Sequence, residues 1–172
     1  MKSAIRRGTR SGLALLAVIA FAMVPTAESA TEQMVMLVPN IPGSSTVSGH
    51  LNWIDVLSFA GSAVAPAGSV GQPCQMVVQK HIDVASPHLW LATVTGQVFT
   101  SIKIDLVTVS PTPYVLYEIQ LENAQITSIG DAGSTAVPQE SLTLKAAKGV
   151  VTFYQQNTST GAITSTSTSF TC

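Results

Sequence analysis

Histidine is the side chain most often used for acid–base chemistry near neutral pH. The chain contains three histidines, at His50, His81 and His88. No two of them have the spacing of a zinc-binding pair, and the two cysteines do not complete a ligand pattern with them. His81 and Asp83 lie two residues apart on one strand face, where a solvated or interfacial polar pair is expected rather than a catalytic dyad. The histidines therefore predict neither a metal site nor a catalytic centre.

The other residue types that support catalysis also lack the required spacing. Serine is abundant, but no G-x-S-x-G nucleophile elbow is present. Glu118 and Glu122 are four residues apart along a strand, too far for a tight carboxylate dyad, and are expected as outer-face charges. The glycines between residues 60 and 71 have neither the spacing nor the following lysine of a phosphate-binding loop. The sequence thus predicts no active site, no cofactor and no enzyme activity.

The N-terminus has the three parts of a secretory signal peptide. Basic residues come first, at Lys2, Arg6, Arg7 and Arg10. An uncharged apolar run over residues 13–24 follows, and then small residues suited to cleavage near Ser29. The run is shorter than the roughly 20 residues that a membrane-spanning helix needs, so a retained anchor is the less favoured alternative. We predict a cleavable signal peptide over residues 1–29 and a single domain over residues 30–172.

Removal of the leader leaves a weakly charged chain. Four lysines remain against eight carboxylates, a formal net charge of about −4, and no arginine is left. Such a chain has no basic patch to neutralise phosphates, which argues against nucleic-acid binding. It also has no cationic amphipathic helix, which argues against stable membrane insertion. The predicted location, which rests on the signal peptide, is the periplasm or the extracellular space.

Two cysteines, Cys74 and Cys172, are best interpreted as one disulfide in an exported protein. The bond would close a loop of nearly 100 residues, worth roughly 4–5 kcal/mol in the chain-entropy model. The alternative is two unrelated thiols.

One short helix is predicted between residues 86 and 96. Ser86 is expected to cap it through its hydroxyl, Pro87 to occupy its first position, and Gly96 to end it in a left-handed conformation. The segment is too short to be stable alone, so it should pack on a sheet. We expect Trp90, Leu91 and Val94 to make that contact.

Strand patterns dominate the rest of the chain. The predicted strands cover residues 33–38, 49–59, 74–84, 97–105, 114–122, 123–129, 139–145 and 149–155, and the Ser/Thr-rich tail is either an edge strand or a frayed end. In residues 74–84 we expect Met76, Val78, Ile82 and Val84 on one face and Gln75, Gln79, His81 and Asp83 on the other. The fold class is mainly β, a small barrel or two-sheet barrel with one short helix.

Five segments in order resemble a known family. They are PGSS (residues 42–45), GHLNWIDVLSF (49–59), KHIDVASPHL (80–89), YVLYEIQLENAQITSI (114–129) and PQESLTLKAAKGVVTFYQ (138–155). Together they are similar to the haemolysin-coregulated protein (Hcp) family, the tube proteins of type VI secretion. The most specific part is Asp83, Ser86, Pro87 and Leu89 followed by Gly96. The resemblance implies a non-enzymatic β-barrel that forms hexameric rings, which stack into a tube.

The resemblance also implies partners and contact surfaces. The chain would bind copies of itself as a homo-hexamer, and secretion components or effectors are possible partners. The loop after the second strand would serve ring stacking, through the residues Ala60, Gly61, Gly68, Gly71 and Pro73. A solvated mobile loop is the alternative there, and polar strand faces such as that of Gln75, Gln79 and His81 are candidates for contact with a neighbour.

The leader is unusual for a tube subunit, because tubes of this family are built in the cytosol. It favours a divergent relative that works in the periplasm or outside the cell. The alternative function is a stand-alone exported barrel that binds a ligand and has lost the ring.

Overall fold

The structure is a computed structural model, and it describes residues 31–62, 74–110, 112–133 and 137–171. The predicted signal peptide, the loop residues Gly68, Gly71 and Pro73, and Cys172 lie outside these ranges. The elements are β1 (Thr31–Leu37), β2 (Ile54–Val56), β3 (Ser58–Ser62), β4 (Cys74–His81), α1 (Ser86–Thr95), β5 (Val98–Val109), β6 (Val115–Ala132), β7 (Gln139–Ala146), β8 (Lys148–Gln156) and β9 (Ile163–Thr171). The prediction of a mainly β fold with one short helix is confirmed.

All nine strands belong to one antiparallel sheet. Its main path is β2-β1-β5-β6-β7-β4-β3, while β8 pairs with β6 and β9 pairs with β8. The 18-residue strand β6 is the centre of the sheet, because residues 117–122 pair with β8 and residues 125–132 pair with β7. β7 and β8 therefore continue one another along the same side of β6.

Two single residues fold this sheet into a barrel-like shape. Ala147 separates β7 from β8, and its N–H donates to Glu122 O at 3.1 Å. Leu57 separates β2 from β3, and its N–H donates to Gln79 O at 2.8 Å. β2 and β3 are the two ends of the main path, and Leu57 connects them in the chain. The two ends of the sheet therefore lie next to each other, but β2 and β3 are not paired as a ladder, so the sheet is not closed.

Alternating strand residues supply the core. Its members are mostly β-branched or long aliphatic side chains, which suit a pleated surface. They include Met36, Ile54, Val78, Leu89, Phe99, Ile102, Ile104, Ile119, Leu121, Ile126, Leu142 and Leu144. The helix α1 packs against β6 and contributes Leu89 and Ala92 to this core.

The second predicted strand, residues 49–59, is wrong in its first half. Residues 49–53 belong instead to a loop over residues 42–53, which is closed by hydrogen bonds between Gly43 N and Asn52 O (2.7 Å) and between Ser45 N and Trp53 O (2.9 Å). Gly49 (φ 82°) and Asn52 (φ 62°) adopt left-handed conformations that end any regular strand here. The strand pattern was misleading because Leu51 and Trp53 belong to a loop, where Leu51 is exposed.

The Ser/Thr-rich tail forms an edge strand, one of the two predicted alternatives. Residues 163–171 form β9 and pair with β8 in continuous register from Ile163↔Gln156 to Thr171↔Lys148. Phe170 anchors the strand, since its ring lies directly over Gly149, where a side-chain carbon would collide with it.

Candidate assembly surfaces

The ends of α1 are set by local signals, only some of which were predicted correctly. Gly96 ends the helix with φ 66°, and its N–H bonds to Thr93 O, as predicted. Pro87 lies in the first turn, at the second helical residue rather than the first. Ser86 does not cap the helix, because it is itself the first helical residue and the N-cap position is Ala85, which makes no side-chain cap bond.

The Ser86 hydroxyl belongs instead to a buried polar network. Its Oγ accepts from Asp83 N–H at 3.0 Å and donates to Glu140 Oε1 at 2.8 Å. Lys80 Nζ donates to Glu140 Oε1 (2.6 Å), to Asp83 Oδ1 (2.7 Å) and to Ser86 Oγ (3.2 Å). The network joins β4, β7 and the start of α1, so it fixes the position of the helix on the sheet.

The residues expected to hold α1 on the sheet point away from it. Leu91 is 60% exposed, Val94 73% and Trp90 40%, whereas Ser86, Leu89 and Ala92 are buried. The helix is apolar on several sides, so its sequence did not reveal which side faces the core. The prediction that Trp90, Leu91 and Val94 make the core contact is therefore wrong.

Large apolar side chains are also exposed on both flanks of α1. Together with the helix they form what we call the apolar segment, whose members are Ile82, Val84, Trp90, Leu91, Val94 and Val98. Ile82 and Val84, which precede the helix, were expected to share a buried face with Met76 and Val78. In the structure β4 ends at His81, and the chain turns there, so they lie outside the ladder.

The helix has no acidic residue in its first turn and no basic residue in its last turn. Exposed apolar side chains that form one contiguous patch mark a site of interaction with another molecule.

The predicted stacking loop is partly strand. Ala60 and Gly61 belong to β3, where they pair with Val77 and Met76 of β4. Gly68, Gly71 and Pro73 lie outside the described residues, so their role stays a prediction. The backbone of Ala60 and Gly61 is held in the sheet and is not part of a mobile loop.

An apolar cavity of about 270 Å³ opens beside β3. One wall comes from β3 and β4, and the opposite wall from β6, β8 and β9. The lining residues are Phe59, Gly61, Cys74, Gln75, Met76, Tyr117, Ile119, Leu121, Val151 and Phe170. No histidine or carboxylate among the described residues lines it, so these residues offer space for an apolar group but no acid–base pair.

The outer face of the sheet contains a polar cluster around Asp105. The carboxylate lies opposite Glu118 in the β5–β6 ladder and is only 3% exposed, because the 42–53 loop covers it. His50, from that loop, places Nε2 at 2.9 Å from Asp105 Oδ2, and its ring meets Trp53 edge-on at 4.5 Å. Asp105 Oδ1 is buried and has no hydrogen-bond partner in the part of the chain that the structure describes. His50 thus fastens the loop to the sheet.

Burial also changes the acidity of this cluster. Burial raises the pKa of Asp105 above its usual 3.8, the hydrogen bond from His50 lowers it, and the neighbouring charge of Glu118 raises it. Burial, and then the charges of Glu118 and Asp105, raise the pKa of the Tyr154 hydroxyl. Glu118 and Glu122 are outer-face charges, as predicted, paired with Lys103 and Lys148. These contacts stabilise the sheet and supply no nucleophile.

The remaining histidines have separate surroundings. His81 makes no bond to Asp83, which is engaged by Lys80, and His81 Nδ1 has no partner. His88 is exposed on α1. Over the ranges that the structure describes, no three His, Cys, Asp or Glu side chains are grouped as metal ligands. In the same ranges, no helix has the length and apolar character needed to cross a membrane.

Sequence reasoning missed Lys80 and Asp105 as buried charges. The signal for Lys80 was present, since it alternates with Met76 and Val78 and so points to the core side of β4. Asp105 had no such signal, because its burial depends on the distant 42–53 loop.

Comparisons with known proteins agree with this fold. The family model "Type VI secretion system effector, Hcp" matches residues 35–153. Among solved structures, Hcp1 from Salmonella typhimurium superposes with a TM-score of 0.66 at 16% identity, covering 79% of this chain and 92% of that one. A type VI secretion system effector from Yersinia pestis superposes with a TM-score of 0.65 at 21% identity, covering 81% and 99%.

A search of curated protein sequences finds no significant match. The solved structures share less than 25% sequence identity with this chain, so they establish the fold alone. The family model covers more than half of the chain and therefore establishes the family. Hcp proteins are secreted structural proteins of type VI secretion rather than enzymes. The chain belongs to the Hcp family.

Proposed function

We propose that this protein is a structural subunit that assembles with copies of itself into hexameric rings, which stack into tubes. The observation that carries the proposal is the apolar segment, which exposes six large side chains around a helix without charges at its ends. A ring needs a heterologous contact, in which one surface of each copy binds a different surface of the next. The apolar segment supplies one of these two surfaces.

We further propose that the protein is exported by its predicted signal peptide and works in the periplasm or outside the cell, without enzymatic activity. A disulfide between Cys74 and Cys172 would suit that location. No cysteine among the described residues is free. Type VI secretion components or effectors are further proposed partners, and no nucleic acid is expected.

Sedimentation velocity and negative-stain electron microscopy of the purified protein test the ring. We expect six-fold particles, and we expect Leu91→Glu and Val94→Glu to abolish them because a buried unpaired carboxylate opposes association. Ser128→Glu is the matched control, since Ser128 is an exposed residue of β6 outside the apolar segment. Particles of monomer mass at high protein concentration would contradict the proposal.

A stand-alone exported binding module is the second candidate, and the 270 Å³ cavity favours it. Its walls are mainly apolar, so the ligand would present an apolar group of a few carbon atoms. This function predicts a monomer, and it predicts that protease cuts residues 63–73 while the barrel stays folded. A ring whose 63–73 segment resists protease would exclude it.

A further inference from the structure

The strand β9 has an unusual free edge. Its nine residues, ITSTSTSFT, include no charge and no proline, and all except Phe170 are exposed. Within the described ranges only β8 borders β9. Natural proteins protect such edges with lysines, prolines, bulges or very short strands. β9 has none of these, and it lies beyond the residues that the family model matches.

The register shows which backbone groups the edge presents. The N–H of Asn157 donates to Ala162 O at 2.8 Å, so this pair at the end of the hairpin is hydrogen-bonded. Antiparallel pairs alternate between bonded and non-bonded, and the β8–β9 register has no shift. The backbone groups of Thr164, Thr166 and Thr168 therefore face β8. Those at the odd-numbered positions 163–171, with Ser167 at their centre, face outward.

We propose that β9 binds β9 of a second copy, antiparallel, about a two-fold axis at Ser167. The pairing places Ser167 opposite Ser167 of the partner subunit. Each of the remaining outward-facing positions of β9 is then opposite an outward-facing position of the partner strand. All nine residues take part because Ser167 is the middle of the strand. The two three-strand units β6-β8-β9 join into one continuous sheet.

Three observations favour a second copy as the occupant. The strand carries no charge, so two copies meet without like-charge repulsion. In this register the five central positions, residues 165–169, oppose hydroxyl to hydroxyl, which is a favourable cross-strand pairing. The other two edges, β2 and β3, are only three and five residues long, so β9 pairs with its own copy over the greatest length.

This contact differs from the ring contact. It is isologous, because the same strand acts on both sides, and it uses none of the apolar segment. The inference does not rest on the proposed ring, and variants of β9 and of α1 separate the two.

Cysteine cross-linking tests the register. Opposed bonded pairs have Cα atoms about 5.5 Å apart, within the range of a disulfide. We expect Ser167→Cys to form a covalent dimer on non-reducing gels about tenfold faster than Thr166→Cys or Thr168→Cys, because only the central residue opposes itself. The unaltered protein controls for Cys74 and Cys172. Equal rates for the three variants would overturn the proposal.

A charge exchange gives an independent measurement. In a Leu91→Glu background, in which the proposed ring contact is removed, we expect Ser167→Lys alone and Ser167→Glu alone to lose the β9 dimer in sedimentation velocity, because like charges meet at the axis. A one-to-one mixture of the two should recover it as a heterodimer. Dimers in either single variant, or no recovery in the mixture, would overturn the proposal. Ring formation should be unaffected by the Ser167 substitutions when Leu91 is unaltered.

Discussion

Lys80 Nζ and Glu140 Oε1 lie 2.6 Å apart, and solvent reaches neither side chain. The two residues oppose each other in the β4–β7 ladder. Asp83 accepts a further hydrogen bond from Lys80, and Ser86 donates one to Glu140 Oε1, whereas Glu140 Oε2 is buried without a partner among the described residues. Burying a charge is costly unless it is paired and hydrogen-bonded. Here Lys80 has the carboxylates of Asp83 and Glu140 as ion-pair partners and the Ser86 hydroxyl as a further hydrogen-bond partner. The pair explains how a lysine occupies the interior of a small β domain.

Breaking this pair from one side should strongly destabilise the fold. We expect Lys80→Met to lower the free energy of unfolding by about 3–5 kcal/mol, because Glu140 is left as an uncompensated buried charge. Urea denaturation provides the measurement.

The double variant Lys80→Met with Glu140→Leu is the control for this prediction. It should cost less than the sum of the single variants, since neither charge remains in the interior. Strict additivity of the two single effects would show that the residues do not interact.

The placement of α1 yields a matched pair of leucine variants. Leu89 is completely buried, whereas Leu91 is 60% exposed. The two residues have the same side chain and lie two positions apart on one helix, so they differ mainly in burial. We expect Leu89→Ala to cost about 2–5 kcal/mol and Leu91→Ala to stay within about 0.5 kcal/mol.

Thermal or urea unfolding at a protein concentration that keeps the chain unassembled distinguishes the two leucines. A larger effect at Leu91 than at Leu89 would mean that α1 is rotated on the sheet relative to the structure.

The sequence predicted the features that depend on neighbouring residues. Gly96 could be assigned as the helix end because a left-handed stop is a local property. Ile119 and Leu121 are buried and alternate with polar residues along β6, which is the pattern that predicts a half-buried strand. The resemblance of five ordered segments then gave the family and the barrel-like fold.

The remaining features depend on contacts between distant residues. The side of α1 that is buried depends on β6 and on the Lys80 network, and the helix sequence is apolar on several sides. The burial of Asp105 depends on a loop more than 50 residues earlier, which carries His50. No local pattern contains these contacts, so the sequence revealed neither the burial of Asp105 nor the exposure of Trp90.

The strand register supports the proposed bridge between Cys74 and Cys172. Cys74 pairs with Ala146, and Thr171 pairs with Lys148, two residues further along the chain. Cys74 and the end of β9 therefore lie at the same corner of the sheet. Cys172 itself lies outside the described residues, so the bridge, which requires Cα atoms 4.4–6.8 Å apart, stays a prediction.

If the bridge forms, reductant should lower the free energy of unfolding by up to about 4–5 kcal/mol, because the unfolded chain regains a long open loop. Urea denaturation with and without reductant measures this loss. The variant Cys74→Ser should show the lower value in both conditions. Two titratable thiols in the oxidised, unfolded protein would contradict the bridge.

The buried Asp105 predicts a specific dependence of stability on pH. Its pKa is raised in the folded protein, so between 3.8 and the raised value the folded state binds more protons than the unfolded state. Stability from this residue therefore increases as the pH falls through the raised pKa, and decreases as the pH rises through it. Most carboxylates that form ion pairs act in the opposite direction.

The variant Asp105→Asn isolates this contribution, because asparagine has a similar shape and does not titrate. The free energy of unfolding of the unaltered protein minus that of Asp105→Asn should increase when the pH is lowered from 7 toward 4, as measured by urea denaturation. Asp55→Asn is a suitable comparison, since Asp55 is a half-buried carboxylate that accepts a hydrogen bond from Gln33 on the neighbouring strand. A difference for Asp105→Asn that decreases toward pH 4 would mean that its hydrogen bond with His50 outweighs the effect of burial.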